Sequence, residues 1–207
     1  MQEKARKTAL AFHAKDDLPE VRREVFRLLA ALECKVFVAF RRKARLAEKH
    51  REHLFRTGTK RSPDAVYDEL VSGLFKDRLH LADENRIVFA RRGKSERTVA
   101  LEAAIREAKR KFEVRWQKGV DRPTTIRSST PSQTVGLQVI DYFLWALQRL
   151  IERGEDRFFA LLASKYRLII DRDDDRKDGF GSYYTARNPL TLERMLPVLS
   201  ARPRDEP

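Results

Sequence analysis

Residues 134–152, TVGLQVIDYFLWALQRLIE, decide how this chain is read. Leu137, Ile140, Leu144, Leu147 and Ile151 recur at helical spacing, and Val139, Phe143 and Ala146 make most of the remaining surface apolar too. Such a helix is expected to be buried. Its polar residues are not scattered. At about 100° per residue, Thr134, Gln138, Asp141 and Gln148 fall on one narrow stripe. A carboxylate on a core helix must be paired, hydrogen-bonded or bound to a cation, because isolated burial of its charge is costly. Two readings of Asp141 are therefore open. It pairs with a buried arginine or caps neighbouring backbone, or it is a metal ligand, with Gln138 one turn earlier facing the same site.

The flanking segments extend this site. RSSTPSQT (127–134) leads into the helix, whose N-terminus offers free N–H groups and the positive end of the helix dipole. Arg127, Ser128, Ser129 and Ser132 are candidates to hold a nucleic-acid phosphate there, although a plain capped loop uses the same residue types. Upstream, KTALAFHA (7–14) reads as a strand that delivers His13, and the turn after it carries Asp16 and Asp17. Strand ends of open α/β sheets are where ligands bind. His13 accordingly joins the phosphate-binding candidates and Asp16 the metal candidates. Turn chemistry accounts for the same acids, with Asp17 as the cap of the next helix.

The rest of the chain alternates between elements. A helix is expected over 19–32, with Val21, Val25, Leu28, Leu29 and Leu32 inward, and then a strand in CKVFVAF (34–40). Helices follow at about 43–55 and 64–80. RIVFARR (86–92) is a strand. The helix from Ser95, its cap, to Phe112 turns Leu101, Ile105, Ala108 and Phe112 inward. TTIRS (124–128) and YRLII (166–170) are short strands, and a helix spans about 155–165. This alternation predicts an α/β protein. Residues 1–165 are read as one α/β domain and 166–207 as a C-terminal extension, with DRDDDRKDGFGS (171–182) and ARPRDEP (201–207) as loop and frayed tail.

Lysine and arginine number 44 against 31 acids, a net charge of +13 with a pI near 10.1. Such an excess suits a nucleic-acid partner, since each neutralised phosphate releases counterions; it also makes a well-solvated surface. The single cysteine, Cys34, excludes an intrachain disulfide and a cysteine metal cluster, and it fits a reducing cytoplasm. VFVAF (36–40) is far too short to span a bilayer, and the first residues hold no apolar signal core, so a cytoplasmic protein without a membrane segment is expected. HREH (50–53) is not the HExxH zinc pattern. DRDDDRKDG fails as a calcium loop, because Arg176 stands where glycine is needed and Ser182 where glutamate is needed. No phosphate-binding glycine motif is present.

The order FHAKDD (12–17), VRREVFRLL (21–29), KVFVAF (35–40), YDELVSGLF (67–75), RIVFARRGKS (86–95) and GLQVIDYFLWAL (136–147) resembles the domain of unknown function 3800 family over about residues 8–150. Its most specific part is Gln138-Val139-Ile140-Asp141, which matches that family's Gln-x-x-Asp signature. The resemblance implies a ribonuclease H-like mixed sheet flanked by helices. By fold analogy it implies metal-dependent phosphodiester cleavage, with Gln138 and Asp141 in catalytic roles and Asp141 and Asp16 on the ion. Mg²⁺ or Mn²⁺ is the ion expected, because the available ligands are oxygens. The family's opening Asp-Glu-Ser-Gly strand has no match here; ADEN (82–85) precedes a different strand and lacks Ser-Gly. The expected sheet thus lacks its N-terminal strand or strands, and of the several carboxylates a two-metal site needs only Asp141 is well placed. A non-catalytic nucleic-acid-binding or partner-binding accessory protein is the alternative.

Overall fold

A computed structural model describes residues 11–60, 62–91, 97–174 and 182–195. In chain order its elements are α1 (Pro19–Ala31), β1 (Val36–Phe40), α2 (Lys43–Thr57), α3 (Pro63–Phe75), β2 (Asn85–Ala90), α4 (Thr98–Trp116), β3 (Thr124–Ser129), α5 (Val135–Arg153), α6 (Arg157–Leu162), β4 (Tyr166–Asp171) and β5 (Ser182–Tyr184). Short 3-10 turns occupy Leu79–Leu81 and Ala163–Lys165. The class is mixed α/β, as the alternation of elements predicts. Two compact units form. The first holds the described residues of 1–36, 130–168 and 184–207, and the second those of 37–129 and 169–183.

Local chemistry sets the helix ends. Proline opens α1 and α3, where its missing N–H costs nothing, and Ser62 Oγ accepts the N–H groups of Asp64 and Ala65 at 3.1 and 3.2 Å. Gly58 and Gly154 close α2 and α5 at φ 69° and 67°, a left-handed geometry that glycine reaches without strain.

In the first unit the core forms around α5. Tyr142, Phe143, Ala146, Leu147 and Leu150 are buried with Phe26 and Leu29 of α1 and with Phe159 and Leu162 of α6. Phe26 meets the Tyr142 ring edge-on at 5.4 Å, and Phe143 meets Tyr166 at 5.6 Å. Helix α5 is not buried all round. Leu144 is 47% exposed, and the polar stripe lies opposite the fully buried Phe143, Ala146 and Leu150, with buried Tyr142 beside it. The inward face of α1 is likewise rotated from the expected one: Phe26 and Leu29 are buried, whereas Leu28 is 62% exposed. Nor is there a strand over 11–14; residues 11–13 have no regular structure and 14–16 form a turn.

In the second unit β2 and β3 run parallel, Arg86 opposite Thr125 and Val88 opposite Arg127. Parallel neighbours need a crossover, and α4 supplies it. Leu101, Ala104, Ile105, Ala108 and Phe112 of α4 form one core with Val71, Leu79, Phe89 and Val120, so the helix face read from the sequence is the buried one. The other sheet has the order β1–β4–β5. Residues 171–174, expected as loose loop, instead include buried Asp171, Asp173 and Asp174. The Ser95 cap, residues 7–10, 175–181 and the 201–207 tail lie outside the described residues. No described helix is long and apolar enough to cross a membrane.

Candidate functional site

Gln138 and Asp141, one turn apart on α5, present two oxygen acceptors along a line. Residues 12–14 run past them. Gln138 Oε1 accepts the Phe12 N–H at 2.9 Å, and Asp141 Oδ2 accepts the Ala14 N–H at 2.9 Å. The Gln-x-x-Asp spacing thus receives two alternate N–H groups of the segment before α1. The other end of the Gln138 amide donates to the Pro131 carbonyl at 2.6 Å. The signature thus ties the loop before α5 and the N-terminal segment to one helix.

A deeper layer holds the following turn. Asp17 is buried; its Oδ2 accepts the His13 N–H at 3.0 Å and the Tyr142 hydroxyl in a short hydrogen bond. It does not cap α1, whose N-cap is Leu18 without a side-chain bond. Arg22 closes the turn by donating to the carbonyls of Ala14 and Asp17 at 2.7 Å each, and its guanidinium stacks 4.8 Å from the Trp145 ring centroid. Burial, and then the hydrogen bond to Asp17, hold the Tyr142 hydroxyl well above the usual phenol range.

His13, Asp16 and Asp141 converge above this turn. His13 Nδ1 stands 3.7 Å from Asp16 Oδ2 and 3.7 Å from Asp141 Oδ2. Asp16 is 72% exposed and Asp141 34% exposed. The Asp141 oxygen nearest His13 is the one already used by Ala14. Among the described residues no group of three or more His, Cys, Asp or Glu side chains is arranged to hold a metal ion. The donor set therefore does not fit the ion that the family resemblance implies.

The phosphate candidates divide. Ser132 and His13 belong to the first unit, while Arg127, Ser128 and Ser129 belong to the second. Ser132 Oγ pairs with Thr130 Oγ1 at 3.0 Å, Ser128 Oγ lies 3.5 Å from Thr98 Oγ1, and Ser129 is buried. Arg127 stays exposed on β3.

A second polar cluster escaped the sequence reading. Within the second unit, Asp171 Oδ2 takes a short charge-assisted bond from Arg42 while its Oδ1 accepts the Asp173 N–H at 3.1 Å. Asp173 Oδ1 accepts from Arg41 at 3.1 Å and Lys49 at 3.2 Å, and its Oδ2 takes the Arg42 N–H at 2.7 Å, at the N-cap of α2. Every oxygen of this pair is engaged, which is what buried carboxylates require. The signal was present as Asp171 and Asp173, alternate acids of DRDDD, but their arginine partners lie about 130 residues earlier.

No family model matches the chain, and comparisons with curated proteins and with solved structures give no match.

The Asp141 geometry makes a direct prediction. Ala14 is fully buried, so Asp141→Ala strands its N–H and costs about 1–3 kcal/mol. Asp141→Asn keeps an acceptor and strands no arginine, so it costs less than about 1 kcal/mol. Melting curves check this. Equal losses in both variants would assign the effect to the charge instead of the acceptor.

Proposed function

We propose that this chain binds nucleic acid without cleaving it and that its Gln-x-x-Asp signature serves architecture. The observation that supports this reading is the net charge of +13, together with a signature in which Gln138 Oε1 and Asp141 Oδ2 each accept a backbone N–H. Lysine and arginine neutralise phosphates and release counterions, so binding of this kind weakens as salt rises. With about four phosphate contacts, each doubling of salt lowers affinity roughly tenfold. Titrating a labelled oligonucleotide across a salt series checks this; absence of binding at low salt would end the reading.

A second reading is a ribonuclease H-like nuclease that uses Mg²⁺ or Mn²⁺. The approach of His13, Asp16 and Asp141 favours it. Among the described residues the donors do not make a cation cage. Under this reading Mn²⁺ raises the melting temperature of the wild type and not of Asp141→Asn, since a ligand stabilises only the state that binds it. Melting indifferent to Mn²⁺ in both proteins removes it.

A further inference from the structure

Helix α2 stands apart from the other long helices among the described residues. It runs for 15 residues and buries none of them. Phe55, on its last turn, is 95% exposed and makes no ring contact among the described residues. A lone exposed apolar residue is ordinary, but the surroundings of this one are not. Arg51 lies one turn before it, Arg56 beside it, and Lys60 just beyond Gly58.

The charge of the segment is lopsided. Residues 43–60 carry Lys43, Arg45, Lys49, Arg51, Arg56 and Lys60 against Glu48 and Glu52. Arg45 is engaged by Glu48 at 3.1 Å and Lys49 by Asp173 at 3.2 Å. No carboxylate among the described residues forms an ion pair with Lys43, Arg51, Arg56 or Lys60. The Asp173 acceptor at the N-cap anchors one end of the helix, and the far end carries exposed Phe55 among basic residues.

We infer that the C-terminal half of α2 is a docking surface for single-stranded nucleic acid, with Phe55 stacking on an unpaired base and Arg51, Arg56 and Lys60 following the phosphates. This rests on the nucleic-acid reading above and deepens it. Stacking on an aromatic ring is open to any base, whereas a duplex keeps its bases stacked on each other. Charge complementarity selects the occupant. A membrane-surface helix needs a continuous apolar face; here Leu54 and Phe55 point about 100° apart, and Phe55 is bordered by Arg51 and Glu52. A protein hot spot needs an apolar surround that excludes water, and charged residues surround this ring.

The test is fluorescence anisotropy of the full chain with a 20-nucleotide single strand and with a duplex of equal length. The variants are Phe55→Ala, Phe55→Leu and Phe55→Trp, each checked by circular dichroism. The expected result is that Phe55→Ala and Phe55→Leu weaken single-strand binding about tenfold or more, leave duplex binding unchanged, and are rescued by Phe55→Trp. Wild-type binding that the Phe55 variants do not change overturns this inference and leaves the nucleic-acid reading standing. Equal losses on single strand and duplex overturn it as well, because stacking then plays no part. Binding to neither oligonucleotide overturns both. A Phe55-dependent affinity for anionic vesicles, with oligonucleotide binding unmoved, assigns the surface to lipid and overturns it too.

Discussion

Asp173→Ala lowers stability by about 3–5 kcal/mol, the range found when one partner of a buried ion pair is removed. The Asp173 side chain has no solvent exposure and receives Arg41, Lys49 and the Arg42 N–H. Arg41 is nearly as buried and, among the described residues, would keep the Glu69 carboxylate at 3.9 Å. Lys49 reaches water and loses little. The dominant cost is therefore the stranded Arg41 guanidinium together with an unpaired N–H at the start of α2. Asp173→Asn retains an acceptor for that N–H and costs less. Denaturant melts of both variants decide the matter; a loss below about 1 kcal/mol in the alanine variant would show that water replaces the carboxylate.

Raising the pH above 10 destabilises the chain steeply. Tyr142 and Tyr166 are both buried, and their hydroxyls bond to Asp17 and, at 2.7 Å, to the Phe143 carbonyl. Burial raises both hydroxyls well above the usual phenol range. In the unfolded chain they ionise near pH 10. Their contribution is thus complete below pH 10 and declines above it, since the unfolded state sheds protons that the folded state keeps. Each contributes about 1.4 kcal/mol per pH unit, so the pair removes about 2.8 kcal/mol per unit. Phenolate absorbance, followed with unfolding, measures this directly. In the double variant Tyr142→Phe, Tyr166→Phe that part of the slope disappears; a wild type whose five tyrosines all ionise before unfolding would refute it.

The amino-acid sequence by itself determined the helices whose periodicity is long and whose partners are local. Helix α4 shows this best, because Leu101, Ile105, Ala108 and Phe112 are buried in one core and the spacing alone selects that face. The strand–helix alternation likewise specified an α/β chain, and the polar stripe of α5 marked Gln138 and Asp141 as facing something polar. Tertiary structure decided the remainder. Which of two apolar arcs of α5 or α1 turns inward depends on neighbours distant in sequence, so Leu144 and Leu28 are left exposed where periodicity made them core. The segment before α1 has a strand-like composition, yet over residues 12–14 its N–H groups go to a helix side chain or a turn instead of a sheet, because Gln138 and Asp141 lie more than 120 residues away and compete for them. Asp171 and Asp173 of DRDDD look solvated until Arg41, Arg42 and Lys49 are brought to them. Local pattern records each residue's own preference for water; the partner that satisfies a buried charge is set by the fold, and no short stretch of sequence contains both halves of the pair.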